Sequence, residues 1–310
     1  MGKIKTFLNL KRFRGRNAVV ALGTFDGVHV GHQKIIKGMV AFAKRNGWTS
    51  VALTFNPHPQ QVIVPERGLR LLTTLAERFQ LFEDMGVQSA VVVPFDHRIQ
   101  EVSYEEFVES YLVKYLKPRK VFVGYDYAFG HDREGHVRQL EELGDRFRFV
   151  VTVVPPVDAS GVTVKSSLIR ELISLGHFDR ALQFLGHPYR VTGKVVRGSR
   201  RGKKLGFPTA NLQTHPDKLL PGHGVYAGKV LLGRKIYRGA VNVGARPTFA
   251  EGKVACEVHI LDFKGDIRGK ELVVDLHHRL RDEVQFADVN ELKTQIKEDV
   301  GRTRKLIRLS

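Results

Sequence analysis

Cysteine and long apolar runs are scarce in this sequence, and both shortages narrow the classes of protein it can encode. Its 310 residues include one cysteine, Cys256, and three methionines. A single cysteine excludes a disulfide framework and any metal site built from several cysteines. No run of about 18 apolar residues is present, and segment 1–16 lacks the apolar stretch of a signal peptide. We therefore expect a soluble, cytoplasmic protein without a membrane segment.

Acidic residues are also few relative to basic ones, and the formal net charge is +18. Residues 1–186 hold 25 Lys and Arg against 19 Asp and Glu (+6), whereas residues 187–310 hold 25 against 13 (+12). A basic surface attracts small polyanions such as ATP, and it also attracts nucleic acid. The basic residues are scattered, without a stripe of interleaved aromatic residues. Phosphate-ligand binding is therefore the favoured interpretation, and a basic nucleic-acid-binding protein is the alternative.

Hydrophobic patterning predicts two domains, residues 1–186 and 187–310. Residues 17–154 alternate apolar, strand-like runs with helical segments, which indicates a mostly parallel, doubly wound sheet. After Pro188 the helical periodicity gives way to short β-type segments punctuated by Gly and Pro, as in an antiparallel barrel, and a helix near 289–305 follows. The predicted strands span 18–22, 50–55, 87–93, 120–124, 147–154, 189–196, 224–232, 235–243, 254–261 and 271–280. Further helices are predicted at 31–45 and 74–84, and one or two helices at 166–185.

The segment GTFDGVHVGH, from Gly23 to His32, joins the first predicted strand to the first helix. Such a junction brings free backbone N–H groups and the positive end of a helix to one point, which suits a phosphate. His29 and His32 are able to donate hydrogen bonds to charge that develops on a phosphate under in-line attack. An isolated histidine pair at a helix start is more often only a polar turn. The complete string on a strand–helix junction favours a phosphate site.

The segment from Gly193 to Asn211 combines a glycine-rich basic loop with the tetrad Pro-Thr-Ala-Asn. Glycines and cations cover ATP phosphates, and a Thr hydroxyl with an Asn carbonyl oxygen offers hard ligands for Mg²⁺. Without the tetrad, a solvated basic hairpin would explain the loop equally well. In the predicted strand 254–261, alternation puts Glu257 and His259 on the face opposite Cys256. We interpret Cys256 as a core residue and His259 as a structural neighbour of Glu257.

Both segments resemble one enzyme family. The first is similar to the HxGH motif of the nucleotidyltransferase superfamily, in the form found in prokaryotic bifunctional riboflavin kinase/FAD synthetases. The likeness continues in NPHP at 56–59, VGYDYAFG at 123–130 and KSSLIR at 165–170. The tetrad resembles that of riboflavin kinases, and this second likeness continues in PGHGVYAG at 221–228, NVGARPTF at 242–249, EVHILD at 257–262 and RLRDE at 279–283. Together they span nearly the entire chain.

The resemblance implies a Rossmann-like nucleotidyltransferase domain with a parallel sheet, followed by a six-stranded antiparallel β-barrel kinase domain with a terminal helix. It implies ATP-dependent phosphorylation of riboflavin to FMN and then adenylylation of FMN to FAD with release of pyrophosphate. Mg²⁺ is the implied cofactor, and riboflavin, FMN, FAD, ATP and ADP are the implied ligands. Whether the chain forms a homo-oligomer stays open.

The resemblance also assigns site residues in the first motif set. It implies that His29 and His32 are catalytic through contacts with the ATP phosphates and that Asp126 lies in the nucleotide pocket. At Lys165 the family usually has Ser, which leaves a monofunctional riboflavin kinase with an impaired adenylyltransferase domain as an alternative. The other implied nucleotide-binding residues of this set are Gly23, Phe25, Asp26, Ser166, Ser167 and Arg170.

In the second motif set the resemblance makes Glu257 the catalytic base. It implies that Thr209 and Asn211 bind Mg·ATP and serve as the metal ligands. The other implied cofactor-binding residues of this set are Gly193, Lys194, Gly198, Lys203 and Arg281.

Overall fold

The computed structural model describes residues 3–15, 17–198, 202, 205–245 and 254–309, which belong to two compact units. The first unit comprises residues 1–165 and the second residues 166–310. Segment 166–186, which patterning gave to the first domain, thus clusters with the second unit. The domain boundary at residue 186 stays a prediction that fragments of the chain can test. In the part of the chain that is described, no helix is both long and apolar enough to cross a membrane.

The first unit is a six-stranded parallel sheet with helices on both faces. The strand order is β1-β4-β3-β2-β5-β6. The strands are β1 (Lys5–Phe7), β2 (Ala18–Leu22), β3 (Thr49–Asn56), β4 (Ser89–Pro94), β5 (Pro118–Gly124) and β6 (Val150–Val154). The helices are α1 (Val30–Asn46), α2 (Pro59–Ile63), α3 (Leu75–Asp84), α4 (His97–Gln100), α5 (Tyr104–Glu106), a π-helical continuation Phe107–Val113, α6 (Lys114–Leu116) and α7 (Val137–Phe147). A short hairpin ends the unit, β7 (Asp158–Ala159) with β8 (Val162–Thr163).

The central strand β2 shows why this sequence forms a doubly covered sheet. All five of its residues are buried, and the two sides of the strand belong to different apolar clusters. Val20 and Leu22 pack in one cluster, whereas Val19 packs with Ile36 and Met39 of α1 in the other. A strand buried on both faces reads as a continuous apolar run, which is what the sequence shows at this point.

The strand order predicts a ligand-binding point beside the end of β2. From β2 the chain proceeds through β3 to β4 toward one edge of the sheet, whereas β5 and β6 lie between β2 and the other edge. In open parallel sheets, ligands bind at the carboxyl ends of the strands where the direction of winding reverses. Here that point lies between the ends of β2 and β5. The segment 23–32 follows the first of these strands, and Asp126 follows the second.

In its described residues, the second unit is a closed barrel of six antiparallel strands that two helices precede and one follows. The strand order around the barrel is β10-β13-β12-β11-β14-β9. The strands are β9 (Tyr189–Val196), β10 (Ala210–Thr214), β11 (Gly224–Leu232), β12 (Lys235–Ala245), β13 (Val254–Ile260) and β14 (Glu271–Arg281), and the helices are α8 (Ser166–Ser174), α9 (Phe178–Leu185) and α10 (Val289–Leu306). The predicted architecture of both units is confirmed.

The helices α8 and α9 pack against the barrel through apolar and backbone contacts. The Phe178 ring of α9 meets the Tyr226 and Tyr189 rings edge-on, at centroid distances of 5.0 and 6.4 Å. The Gly222 amide donates to the Ile173 carbonyl of α8 at 3.0 Å. The Phe178 side chain is 1% exposed, so α9 covers apolar surface that the barrel alone would leave in water.

The local differences between the predicted and the observed elements include the following three strands. The strand predicted at 147–154 begins at Val150, because α7 continues to Phe147 and Arg148 adopts a left-handed φ of 61°. The strand β1 was not predicted, since it has three residues and depends on pairing with β4. The strand β10 was not among the predicted segments either, because the sequence around it is dominated by the loop and the tetrad.

Candidate active sites

The turn that follows β2 is built from left-handed backbone. Gly27 has a φ of 83°, and two residues with side chains, Phe25 (φ 50°) and Val28 (φ 40°), also have positive values. Both side chains are buried, at 1% and 0% exposure. A β-branched residue with positive φ is rare, and such strain, on the order of 1–3 kcal/mol, persists only where the surrounding contacts fix it. The turn is therefore a strained segment that its neighbours hold in place at the start of α1.

His29 and His32 form one stacked pair at the N-terminus of α1. The His29 ring caps the helix, with Nδ1 accepting from the His32 backbone N–H at 3.4 Å. The two rings stack with centroids 3.7 Å apart, and the Phe25 ring meets His32 edge-on at 5.4 Å. Because Nδ1 of His29 accepts, Nε2 carries the proton of the neutral ring and is a donor. Two imidazoles are thus held beside the positive end of a helix, which is a favourable place for a phosphate.

Asp26 points into the protein and braces the turn. Its carboxylate accepts from the backbone N–H groups of Leu72 and Thr73 at 3.0 and 2.9 Å and from the Thr73 hydroxyl at 3.1 Å. The residue is 0% exposed. At the other end of the motif, the Gly23 amide donates to the Leu53 carbonyl of β3 at 3.2 Å. The structure therefore gives Asp26 a role in fixing the turn, and its nucleotide-binding role stays a prediction.

The remaining expected residues of the adenylyl-transfer site lie in two places. Asp126 is exposed just after β5, at the point where the direction of winding reverses. Ser166, Ser167 and Arg170 lie in the first five residues of α8, in the second unit. Hydroxyls at the start of a helix suit a phosphate, because the first backbone N–H groups have no partner within the helix. Lys165, which departs from the family pattern, precedes them and is exposed.

In the second unit, strand register brings the tetrad to the proposed base. The strand β10 pairs with β13 so that Asn211 lies opposite Glu257. The Thr209 hydroxyl donates to Glu257 Oε2 at 3.2 Å. Asn211 is 4% exposed and its side chain packs directly over Gly198, where a Cβ would overlap the Asn211 amide. The glycine of the loop therefore allows the side chain of the tetrad to take this position.

The tetrad is also held from its other side by His259. Its Nδ1 lies 2.9 Å from the Pro208 carbonyl oxygen, and the ring meets Phe207 edge-on at 5.7 Å. Because a carbonyl oxygen only accepts, Nδ1 is the donor of this hydrogen bond. His259 thus contacts the segment that carries Thr209 rather than Glu257 itself. This geometry supports our interpretation of His259 as a structural residue.

A cavity of about 510 Å³ opens beside Thr209. Its apolar wall includes Val195, Ile260 and Phe263, and Gly198 and Arg268 line it as well. A cavity of this size with an apolar wall and a few polar groups is typical of small-molecule sites. It is large enough for the base and sugar of a nucleotide, with Thr209 at one edge.

Cys256 is a core residue of the barrel. It is 1% exposed, and burial together with the neighbouring Glu257 carboxylate raises the pKa of its thiol to about 12. The thiol is therefore protonated at neutral pH, and a protonated buried thiol is unreactive. This fits the interpretation of Cys256 as a structural residue.

The other expected residues of the barrel site are distributed more widely. Gly193 and Lys194 lie on β9, with Gly193 buried and Lys194 exposed. Arg281 lies at the end of β14, where its Nη2 donates to the Asp299 carboxylate of α10 at 2.8 Å and its Nε donates at 3.1 Å. This pair attaches the terminal helix to the barrel. Lys203 lies outside the described residues.

Sequence reasoning missed three residues that contact the first turn or its partners, namely Thr54, Thr73 and Arg78. Arg78 is buried at the second turn of α3, and burial lowers the pKa of its guanidinium, while the carboxylates of Asp26 and Glu77 act in the opposite direction. The capping box of Thr74 and Glu77 was predicted and is present. Its neighbour Arg78 carries no sequence signal, because a charged residue on an amphipathic helix normally faces water.

Comparison with known proteins bears on both units. A sequence profile described as FAD synthetase matches residues 12–168, and one described as riboflavin kinase matches residues 185–307. Two proteins named bifunctional riboflavin kinase/FMN adenylyltransferase are similar over nearly the whole chain. The one from Listeria monocytogenes is 37% identical over 93% of this chain and 92% of its own, and the one from Escherichia coli K12 is 33% identical over 100% and 99%.

A solved structure from Streptococcus pneumoniae, named a macrolide-efflux protein, has the same fold over the whole chain. It superposes with a TM-score of 0.87 at 30% sequence identity and covers 99% of this chain and 100% of its own. The full-length relatives and the two matched profiles agree with the resemblance that the motifs carry. The chain belongs to the family of bifunctional riboflavin kinase/FMN adenylyltransferases.

Proposed function

We propose that this chain makes FAD from riboflavin in two steps, with the barrel performing the first step and the turn after β2 the second. The observation that carries the proposal is the cluster of Thr209, Asn211 and Glu257, which the pairing of β10 with β13 brings together and of which Thr209 lines the cavity. A solvated hairpin would not bury Asn211 or seat it on a glycine. The stacked histidines at the start of α1 support the second step.

In the kinase step, Glu257 accepts the proton of the ribityl 5′-hydroxyl of riboflavin. The hydroxyl oxygen forms a bond to the γ-phosphorus of ATP, the bond from that phosphorus to the β,γ-bridging oxygen breaks, and ADP leaves. The Thr209 hydroxyl hydrogen bonds to Glu257 and orients the carboxylate. Positioning of this kind, rather than covalent chemistry by the protein, accounts for most catalysis of phosphoryl transfer.

The oxygen donors of the tetrad fit Mg²⁺. Mg²⁺ keeps several waters and takes only one or two protein oxygens besides substrate phosphates. Among the described residues no group of three or more His, Cys, Asp or Glu side chains is placed to hold a metal. The Thr209 hydroxyl and the Asn211 carbonyl oxygen are the residues that would hold Mg²⁺, which would neutralise phosphate charge when bound.

In the adenylyl-transfer step, a phosphate oxygen of FMN attacks the α-phosphorus of a second ATP. The bond from that phosphorus to the α,β-bridging oxygen breaks, and pyrophosphate leaves. The FMN phosphate is already ionised at neutral pH, so this step needs no general base. His29 and His32 donate hydrogen bonds to the charge that accumulates on the phosphates, and Ser166, Ser167 and Arg170 hold the departing pyrophosphate. Asp126 contributes to the nucleotide pocket.

Chromatography of the products from riboflavin and Mg·ATP tests this proposal. FMN should appear first and FAD afterwards, and FMN supplied in place of riboflavin should give FAD directly. FMN without FAD would favour the monofunctional kinase that the departure at Lys165 suggests. Neither product, together with tight binding of nucleic acid at physiological salt, would favour the nucleic-acid-binding alternative. A cytoplasmic location is proposed with it, since a single cysteine suits a reducing compartment.

A further inference from the structure

Two threonine hydroxyls that lie outside the motif hold the strained turn after β2. The Thr54 hydroxyl of β3 donates to the Thr24 carbonyl oxygen at 2.9 Å. The Gly27 amide donates to the Thr73 hydroxyl, also at 2.9 Å. One hydroxyl thus fixes a carbonyl at the beginning of the turn, and the other fixes an amide near its end. The positive φ values lie between or directly beside these two points.

Two buried charged residues determine the direction in which each hydroxyl donates. Arg78 Nη1 donates to Thr54 Oγ1 at 2.9 Å, and Asp26 Oδ1 accepts the Thr73 hydroxyl proton at 3.1 Å. A guanidinium only donates and a carboxylate only accepts. The Thr54 proton is therefore left for the turn carbonyl, and a lone pair of Thr73 is left for the turn amide. Each hydroxyl has one possible orientation.

The two charged residues also compensate each other. Arg78 Nη2 lies 4.0 Å from Asp26 Oδ1, with side-chain exposures of 3% and 0%. An uncompensated charge at such a place would cost several kcal/mol, so removal of either residue alone should be strongly destabilising. A buried ion pair is weak evidence for stability, but it is well suited to fixing one geometry. Here that geometry belongs to the turn that leads into α1.

We propose that Thr54, Thr73 and Arg78 are positioning residues for adenylyl transfer, acting through the turn on His29 and His32. The proposal rests on the function proposed above for the two histidines. His29 directly follows the turn and His32 lies in the first turn of α1. A change in the conformation of the left-handed residues of the turn therefore moves both imidazole rings and the N-terminus of α1 together. A misplacement of about 1 Å at reacting groups costs about 10²-fold in rate. None of the three residues needs to touch the substrate for this effect.

A matched pair of substitutions at Thr73 separates the hydroxyl from the shape of the side chain. Thr73→Val keeps the shape and removes the acceptor of the Gly27 amide, whereas Thr73→Ser keeps the hydroxyl. In the full-length chain we expect Thr73→Val to lower kcat for FAD formation from FMN by about 10–100-fold, with the KM for ATP changed by less than about 3-fold. Thr73→Ser should stay within about 3-fold of wild type in both constants.

The kinase activity of the same chain is the internal control. Riboflavin phosphorylation should be unchanged in every variant, because its proposed residues lie in the other unit. For the exchange measurement below, Thr303→Val is the matched threonine control, since that buried hydroxyl donates to the Asp299 carbonyl oxygen at 2.8 Å within α10, in the other unit. Equal kcat values for Thr73→Val and Thr73→Ser, or a loss confined to KM, would overturn the proposal.

Hydrogen exchange of the peptide that covers residues 24–28 gives a readout that does not depend on activity. Exchange there should accelerate by about 10-fold or more in Thr73→Val and in Thr54→Val, but not in Thr73→Ser or Thr303→Val. Unchanged exchange in Thr73→Val contradicts the proposal even if FAD formation falls. If Thr73→Val does not fold, Thr54→Val and Thr54→Ser are judged by the same criteria. Normal FAD formation after loss of both histidines, by contrast, refutes the proposed function and not the geometry of the turn.

Discussion

The two candidate active sites are made by different physical means. In the first unit, a continuous segment of ten residues supplies the turn, the helix N-terminus and both histidines. In the barrel, Asn211 and Glu257 are 46 positions apart in sequence and meet because β10 pairs with β13. The first site thus depends on strained backbone held by buried hydrogen bonds, and the second depends on strand register.

This difference determines how each site is expected to fail. A turn held in left-handed conformations responds to changes in its neighbours, even when those neighbours never touch a ligand. A site set by register keeps its geometry as long as the barrel is closed, because a slip of one residue would turn every side chain to the opposite face. Substitutions should therefore affect adenylyl transfer from several surrounding positions, whereas they affect the kinase mainly at the site residues themselves.

The largest expected effect is at the histidine pair. Replacing His29 and His32 together with Ala should lower FAD formation by about 10⁴-fold, because each preorganised donor typically contributes about 10²–10³-fold. FMN should accumulate at the wild-type rate. Chromatography of both flavins from one reaction provides the measurement. FAD output near the wild-type level would show that the histidines do not belong to the adenylyl-transfer site. The proposed difference between the two sites would then be wrong.

A similar loss, confined to the other activity, is expected at Glu257. Glu257→Gln keeps the size of the side chain but cannot accept a proton, so FMN formation should fall by about 10²–10⁴-fold, mainly in kcat. Adenylylation of supplied FMN should be nearly unaffected. Thr209→Ala is the informative companion, since it removes a proposed metal ligand and should also raise the KM for Mg·ATP. Retention by Glu257→Gln of more than about a tenth of wild-type turnover would show that Glu257 is not the base.

The sequence alone was sufficient to predict most helices and strands and those site residues that are close together in sequence. The strands Ala18–Leu22, Tyr189–Val196 and Gly224–Leu232 have the predicted bounds, because each is a run of apolar or alternating residues with clear ends. The pairing of Asn211 with Glu257 could not be read in this way. Register is a property of two strands together, and only the family resemblance linked the two residues.

The residues that hold the turn after β2 could not be predicted from the sequence, for a different reason. Arg78 is a single basic residue on a helix, and nothing near it in sequence indicates that its partner is Asp26, 52 positions earlier. Likewise, Thr54 is one polar residue in a buried strand, where a threonine is ordinary. Buried polar contacts over such separations follow from tertiary packing, which periodicity and motif spacing do not encode.

A smaller effect, on stability rather than rate, distinguishes the two possible boundaries between the units. A fragment of residues 187–310 should fold and make FMN, but a fragment of residues 166–310 should be more stable by about 3–6 kcal/mol, because Phe178 and Phe184 of α9 are buried in it. Denaturant unfolding of the two fragments gives the difference. Equal stabilities would mean that α8 and α9 do not belong to the barrel unit and would favour the boundary at residue 186.

No effect of the histidine substitutions is expected at the single thiol, which reports on the barrel alone. Burial raises the pKa of Cys256 from its ordinary value of 9.0 to about 12. The folded state therefore favours the protonated thiol, and the stability that this contributes is present below pH 9 and is lost as pH rises toward 12.

Near pH 8 the thiolate fraction is about 10⁻⁴ in the folded barrel and about 10⁻¹ in the unfolded chain. Alkylation by iodoacetamide, followed by mass spectrometry, should thus be about 10³-fold slower in native protein than in denatured protein. The His29→Ala/His32→Ala variant should be labelled as slowly as wild type, since its substitutions lie in the other unit. Faster labelling in that variant would show that the two units do not unfold independently. The contrast drawn above, between a site that depends on strained backbone and one that depends on strand register, would then be wrong.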